Sequence, residues 1–348
     1  MNRLNKVKHI IYIGNILSRH GNTPTNIETL GPLLEKEGYN ITYASSKKNP
    51  LLRLFDMAFT IFKNKKQAGV VLIDTYSTNA FYFAWLSSRI CYLLKIPYLP
   101  ILHGGNLPQR IKKSPKLSKQ IFGNSRCNII ISEYLKQSLI DNNFFYTTIP
   151  NNINLAEYPF LKRSKINPDI LWVRSFHSIY NPTMAIKVLN LLKKTYPAAK
   201  LTMVGPDKDG TLAMCKNLAK ELNLENDIQF AGKLKKEDWL KLSANFGIFI
   251  NTTNFDNLPV SVIEAQALGM PVVSTNVGGI PFLIQNEVNG LLVNPDNENE
   301  MVIKIIELLN NSELTLKLSE NAREAAENFD WKIIKEKWNV LLQPFIKE

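Results

Sequence analysis

One stretch, residues 246–295, limits what this chain can fold into more than any other. It runs through GIFIN (247–251), a polar loop (252–257), LPVSVIEAQALG, PVVST (271–275), then NVGGIPF and NGLLV. GIFIN is short, apolar and β-branched, as a buried strand should be. Pro259 stands where a helix accepts proline, in its first turn. Val262, Ile263, Ala265, Gln266, Ala267 and Leu268 continue that helix and Gly269 ends it. PVVST is a second buried strand. The stretch therefore predicts one β–loop–α–β unit, with its loop at the carboxyl end of a strand, where open α/β sheets bind ligands. The helix start at 257–261 offers unpaired N–H groups and a positive dipole end, which suits a phosphate. Glu264, one turn in, is the only acid in an otherwise apolar helix. A carboxylate buried without partners is costly, so Glu264 needs either a ligand hydroxyl or a fixed partner.

Asp256, seven residues, Glu264, then AQALGMPVVSTNVGG resembles the nucleotide-sugar site of glycosyltransferase family 4, a retaining family with the GT-B fold. The family pattern is an acid, seven residues, a glutamate, Ala-x-Ala-x-Gly-x-Pro-Val-Val and a Gly-Gly turn. Aspartate at 256, in place of glutamate, is the departure within this motif. The resemblance extends more weakly over nearly the whole chain. Strands alternate with helices twice over, which by itself implies two doubly wound α/β domains. With the resemblance, the expected fold class is α/β: GT-B, two Rossmann-like domains facing a cleft. Their expected limits are 1–165 for the acceptor side and 166–329 for the nucleotide-sugar side, with a polar linker at 161–168. A helix at 330–348, bearing Trp331, Ile334, Trp338, Leu341 and Leu342 at helical spacing, returns to the first domain.

Further residues carry the resemblance. Gly21 lies in the loop between the first strand and first helix, where the family has glycine close to donor phosphates or acceptor. His103 follows the fourth strand (97–102) and precedes Gly104-Gly105-Asn106, where many members carry histidine near the reacting sugar. The alternative is that His103 only hydrogen-bonds loop backbone. Residues 150–154 read Pro-Asn-Asn-Ile-Asn, with asparagine at the family's glycine and aspartate. Arg174 follows a strand at 169–173, in the place of a diphosphate-binding arginine, and a guanidinium fork suits phosphate. The family's lysine is missing: its place reads Tyr180-Asn181-Pro182. Either Lys187 or a backbone group compensates, or neutralisation is weaker. Gly232-Lys233-Leu234 resembles the loop that frames the base, so Lys233 is either a phosphate or base contact or a surface lysine.

Composition bounds the rest. The 348 residues suffice for two domains. Three scattered cysteines, Cys91, Cys127 and Cys215, predict a reducing compartment and neither a disulfide framework nor a zinc site. The apolar core near the N-terminus is too short for a signal peptide, and no run of about 18 apolar residues is present to span a membrane. Residues 1–165 hold 23 Lys/Arg against 8 Asp/Glu, whereas 166–348 hold 19 against 22, so the first half expects an anionic partner. No nucleic-acid motif accompanies that charge, so nucleic acid is not the partner expected.

The segment 50–63 (PLLRLFDMAFTIFK) predicts a helix with Arg53, Asp56, Thr60 and Lys63 in one narrow polar stripe. The rest of its circumference is apolar, wider than one sheet needs. Lys47, Lys48, Lys65 and Lys66 bracket it, and Arg110, Lys112, Lys113, Lys116 and Lys119 form a second basic group containing Ile111 and Leu117. This pattern suits contact of Leu51, Phe55, Phe59, Lys112 and Lys113 with an anionic membrane surface. The ordinary alternative is a crossover helix packed on the sheet.

The resemblance implies a retaining hexosyltransferase that moves a sugar from a UDP- or GDP-sugar to a glycan or lipid-linked acceptor in bacterial polysaccharide or lipopolysaccharide synthesis. The cysteine usage and the 50–63 segment place the protein in the cytoplasm, peripheral on the inner face of the plasma membrane. Under the resemblance, Glu264 holds ribose hydroxyls, Asp256 meets the sugar and Arg174 neutralises the diphosphate. The backbone of Asn257, Leu258 and Pro259 lies beside phosphates or sugar, and His103 orders the reacting centre. No cofactor or metal is expected, because arginine with helix dipoles can carry the charge work. Three rival readings are a non-catalytic sugar-nucleotide-binding homologue, a GT-B sugar-nucleotide epimerase and a basic nucleic-acid-binding protein.

Overall fold

The structure, a computed structural model, describes residues 9–20 and 24–345. It divides into two compact units, one made of Met1–Pro150 with Ile334–Glu348 and the other of Asn151–Ile333. The division therefore falls at Pro150, ahead of the charged linker expected at 161–168. The physical reason is that residues 151–165 are bonded into the second unit. Ile153 exchanges backbone hydrogen bonds with Phe329 and Trp331, and the Arg163 guanidinium donates to the carbonyl of Leu268 at 2.6 Å.

The first unit is a six-stranded parallel sheet. Its strands are β1 (His9–Ile13), β2 (Asn40–Ala44), β3 (Val70–Thr75), β4 (Tyr98–Leu102), β5 (Asn128–Ile130) and β6 (Tyr146–Thr148), in the order β2-β1-β3-β4-β5-β6. Every residue of β1, β3 and β4 is buried, as expected of parallel strands covered on both faces. The helices are α1 (Asn26–Lys36), α2 (Pro50–Asn64), α3 (Phe81–Leu93), α4 (Leu107–Lys113), α5 (Pro115–Phe122) and α6 (Lys136–Ile140). The Asn49 side chain caps α2 by accepting from the amides of Leu51 and Leu52, and Pro50 takes the first turn. The strand order reverses between β1 and β3, so the switch point of this sheet lies at their carboxyl ends.

The second unit has β7 (Ile170–Val173), β8 (Leu201–Val204), β9 (Ile228–Gly232), β10 (Ile248–Asn251), β11 (Val272–Thr275) and β12 (Leu291–Val293), again all parallel. Their order is β12-β11-β10-β7-β8-β9, so the switch point falls between β7 and β10. Its helices are α7 (Pro182–Leu192), α8 (Thr211–Glu221), α9 (Lys236–Ser243), α10 (Val260–Ala267), α11 (Ile280–Leu283), α12 (Glu298–Asn310) and α13 (Ser312–Glu327). The core here packs Trp172, Met203 and Ile250 from the sheet against Ile186 and Leu189 of α7 and Ile305 of α12. The final helix, α14 (Trp331–Leu342), carries Ile334, Trp338 and Leu342 inward. In its later turns Asn339 accepts from the Tyr39 hydroxyl at 3.1 Å and Lys335 pairs with Glu37 at 3.5 Å.

Helix α2 departs from the simple polar stripe. Arg53, Met57 and Ile61 are its buried residues. Arg53 donates to the carbonyls of Lys47 and Lys48 and to Asn15 Oδ1, so a side chain assigned to the polar side is an internal clamp. In the second basic group Ile111 is buried while Lys112, Lys113, Lys116 and Lys119 are exposed. The apolar side chain there serves the core and the lysines alone face outward. Among the described residues, no helix is long and apolar enough to cross a membrane.

Candidate active site

The switch point of the second unit gathers the residues singled out in the central motif. Arg174 leaves the carboxyl end of β7, its amide bonded to the Val204 carbonyl at 3.0 Å. Gly205 permits this approach: a Cβ there would meet the Arg174 carbonyl at 1.8 Å. Across the switch, the loop after β10 is tied to the turn before α7. Trp172 Nε1 donates to Thr252 Oγ1, which donates to the Tyr180 carbonyl, and the Asn254 amide donates to the carbonyl of Ile179. These bonds set the Tyr180 ring beneath the Arg174 guanidinium, 4.3 Å from centroid to carbon.

The Arg174 guanidinium pairs with the Asp256 carboxylate. Burial pulls the arginine down from its ordinary value, while Tyr180 and Glu264 draw it back up. Arg174 Nε and Ser261 Oγ are buried and have no protein partner among the described residues. Buried donors left unpaired cost about 1–3 kcal/mol each, and such groups at a helix N-terminus suit an incoming anion. Ser261 sits in the first turn of α10. Pro259 caps that helix from extended backbone, just ahead of the first turn predicted for it. Asn257 and Leu258 are buried, and the Asn257 amide bonds its neighbour Asp256 Oδ1 at 2.9 Å.

The Gly-Gly turn is a support for this loop. Gly278 has φ +54°, and a Cβ would meet the Asp256 carbonyl at 2.2 Å; one on Gly279 would meet the Asn257 carbonyl at 1.7 Å. The Gly279 amide donates to the Asp256 carbonyl at 2.9 Å. The backbone of Asp256 and Asn257 is thus seated directly on glycine, where no side chain fits.

Glu264 has a fixed partner. The buried Tyr158, 106 residues upstream, donates its hydroxyl to Glu264 Oε1 at 2.6 Å. Burial pushes the Glu264 carboxyl up from its ordinary value, opposed by the Tyr158 bond and by Lys236 and Arg174. Oε1 is thereby committed to Tyr158. Tyr158 carried no signal in the sequence, because its partner is far along the chain and it falls in a segment expected to belong to the first domain.

Asn181, in the place of the family's lysine, has φ 47°, precedes Pro182 and donates to Asp296 Oδ1 at 2.7 Å. It is a turn residue. Lys187 pairs with Glu298 at 2.9 Å, so its charge is already engaged. Lys233 is exposed in the loop after β9. Among the described residues no three His, Cys, Asp or Glu side chains are grouped to hold a metal ion.

The first unit has its own polar cluster, at the carboxyl ends of β1, β3 and β4. Buried Asp74 Oδ1 accepts from His103 Nε2 at 2.8 Å and from the Tyr12 hydroxyl at 3.1 Å, and Oδ2 accepts from the Ile27 amide at 3.3 Å. Asn26 donates to the Tyr12 oxygen at 2.7 Å, and the Tyr76 ring stacks on His103 at 5.2 Å. Burial and the Asp74 charge push Tyr12 well above its ordinary value, which keeps it a neutral donor. His103 is therefore oriented by a carboxylate and an aromatic ring. Asp74 was missed because it reads as one acid at the end of an apolar strand. Gly21 lies outside the described residues.

Residues 159–325 match the family model for glycosyl transferases group 1. That match lies within the second unit. A Haemophilus influenzae protein named as an uncharacterized glycosyltransferase is 32% identical over 203 residues, 58% of this chain and 55% of that protein. A Methanocaldococcus jannaschii protein, likewise named, is 26% identical over 79% of this chain and 76% of its own. Among solved structures, sucrose-phosphate synthase from Thermosynechococcus elongatus superposes with TM-score 0.81 at 18% identity, covering 97% of this chain and 98% of that one. Anabaena HepE in complex with UDP gives TM-score 0.76 at 16% identity, with coverage of 97% and 100%. The two parallel six-stranded α/β units are those of the GT-B fold.

Proposed function

We propose that this chain is a metal-independent, retaining glycosyltransferase. It moves a sugar from a UDP- or GDP-sugar to a lipid-linked glycan at the cytoplasmic face of a bacterial plasma membrane, in cell-surface polysaccharide synthesis. The observation that carries the reading is Arg174 beside the start of α10, with Arg174 Nε and Ser261 Oγ buried and unpartnered. The group 1 domain and the relatives named as glycosyltransferases support sugar transfer in general. The UDP in the structure of HepE supports a nucleotide-sugar donor.

In this reading the diphosphate takes the Arg174 fork and the first turn of α10, with charge neutralised by guanidinium and helix dipole. Asp256, released from Arg174 as the diphosphate arrives, accepts from sugar hydroxyls. Glu264 is anchored through Oε1 by Tyr158 and offers Oε2 to the ribose. Lys233 lies beside the base. The first unit takes the acceptor, with His103 and the Gly104-Gly105 backbone as ordering groups. The acceptor oxygen bonds to the anomeric carbon while the carbon–diphosphate oxygen bond breaks on the same face. The acceptor proton leaves with the diphosphate, so no side-chain nucleophile is needed. The test is a panel of radiolabelled sugar nucleotides offered with bacterial membrane lipid extracts. The expected result is label in the lipid fraction with retained anomeric configuration. Interconversion of donor sugars without acceptor would instead identify an epimerase, and neither product a non-catalytic homologue.

A further inference from the structure

Helix α2 has two apolar faces. Arg53, Met57 and Ile61 turn inward, yet Leu51 (67%), Leu52 (59%), Phe55 (71%), Phe59 (62%) and Phe62 (56%) stand exposed. At 3.6 residues per turn those five fall within an arc of roughly 100°, opposite the buried stripe. Scattered exposed apolar residues need no explanation, but a continuous stripe of this kind does.

Its surroundings are cationic. Lys47 and Lys48 precede the helix, Lys63, Lys65 and Lys66 close it, and Lys65 Nζ lies 4.0 Å from the Phe62 ring centroid. Helices α3 and α5 continue the same layer. Arg53 meets the Phe83 ring at 5.7 Å, so the first turns of α2 and α3 adjoin. Exposed Tyr92 and Leu93 end α3, and exposed Lys116 and Lys119 project from α5. Residues 57–132 contain eleven Lys/Arg and one acid, Asp74, which is buried against His103. Asp56 is engaged by the Ser45 hydroxyl at 2.5 Å. The layer thus presents aromatic and aliphatic side chains ringed by cations, with no exposed carboxylate to balance them.

We propose that this face of α2, α3 and α5 seats the protein on an anionic lipid bilayer. Phenylalanines enter the boundary between headgroups and acyl chains while the lysines meet lipid phosphates. A second copy of the same face would set cation against cation. A nucleic acid would leave five apolar side chains without a partner. An anionic bilayer satisfies both features at once. The inference rests on the transferase reading only for its purpose, which is to bring the enzyme to a lipid-linked acceptor.

The test is co-sedimentation of the full chain with vesicles of phosphatidylglycerol and phosphatidylcholine, and of phosphatidylcholine alone. The wild type pellets with the anionic vesicles at low ionic strength and is released by salt. Phe55→Ser and Phe59→Ser, exposed and so harmless to folding, each weaken partitioning roughly tenfold or more. Lys63→Glu with Lys66→Glu weakens it too, whereas Met214→Ser, exposed in the second unit, leaves it unchanged. Wild type remaining in the supernatant overturns the proposal. So does binding insensitive to the α2 variants, or a homodimer dissolved by them without vesicle binding. Sugar transfer with no vesicle binding sinks the surface alone; vesicle binding with no transfer sinks only the reaction.

Discussion

Glu264 and Asp74 show how a single carboxylate takes its role from its partners. Glu264→Gln keeps the shape and the Tyr158 hydrogen bond but removes the charge offered to a ribose hydroxyl. A lost charged partner is worth about 1.5–3 kcal/mol, so transfer should fall about tenfold to over a hundredfold with the fold intact. Near-wild-type rates would place the ribose elsewhere. The burial that pushes Glu264 up also predicts an acid limb. Donor affinity should fall as pH drops through the Glu264 value, beginning at higher pH than an ordinary glutamate would give, and the Gln variant should lack that limb. Asp74→Asn leaves His103 and Tyr12 competing for a weaker acceptor. It should lower turnover with donor affinity unchanged, since Asp74 belongs to the first unit; a donor Kd that rises in step would contradict this.

At the scale of elements, the central β–loop–α–β unit was readable because each part carries its own signal: a β-branched strand, a proline start and a glycine stop. Strands β10 (Ile248–Asn251) and β11 (Val272–Thr275) each begin one residue after the predicted 247–251 and 271–275 and end where predicted. Helices α4, α6 and α9 were not foreseen. They have seven, five and eight residues, too few turns to establish a period. The polar stripe of α2 was misread in part because Arg53 is buried by bonds to carbonyls of the preceding loop, which no periodicity reports. The Gly-Gly turn reads as a simple breaker in sequence, whereas in the structure it carries the backbone of Asp256 and Asn257. Gly279→Ala should therefore destabilise by about 1–3 kcal/mol, as overpacking does, and weaken nucleotide binding as well. Thermal melting with and without UDP checks both; an unchanged Tm would mean that the loop yields freely.

For the whole molecule, two doubly wound units follow from the alternation of strands and helices, and the sequence supports that much without any family. The boundary was harder. Polar residues at 161–168 look like a linker, but Arg163 is buried among carbonyls of the second unit, so composition pointed the wrong way. The paired residues that shape the sites, Tyr158 with Glu264 and Asp74 with His103, were illegible because folding alone brings them together. The charge scheme proposed for the donor makes a prediction about the entire enzyme: activity should survive EDTA. Loss in chelator, restored by manganese or magnesium, would overturn it. The central claim is that the β7–β10 switch point takes the diphosphate of the donor, and calorimetric titration of UDP tests it most directly. Against the wild type, Lys187→Ala should leave Kd unchanged, because Glu298 already holds that lysine. Arg174→Ala, confirmed folded by circular dichroism, should raise Kd about tenfold to a hundredfold. A larger loss at Lys187, or equal affinity in the Arg174 variant, would contradict the account.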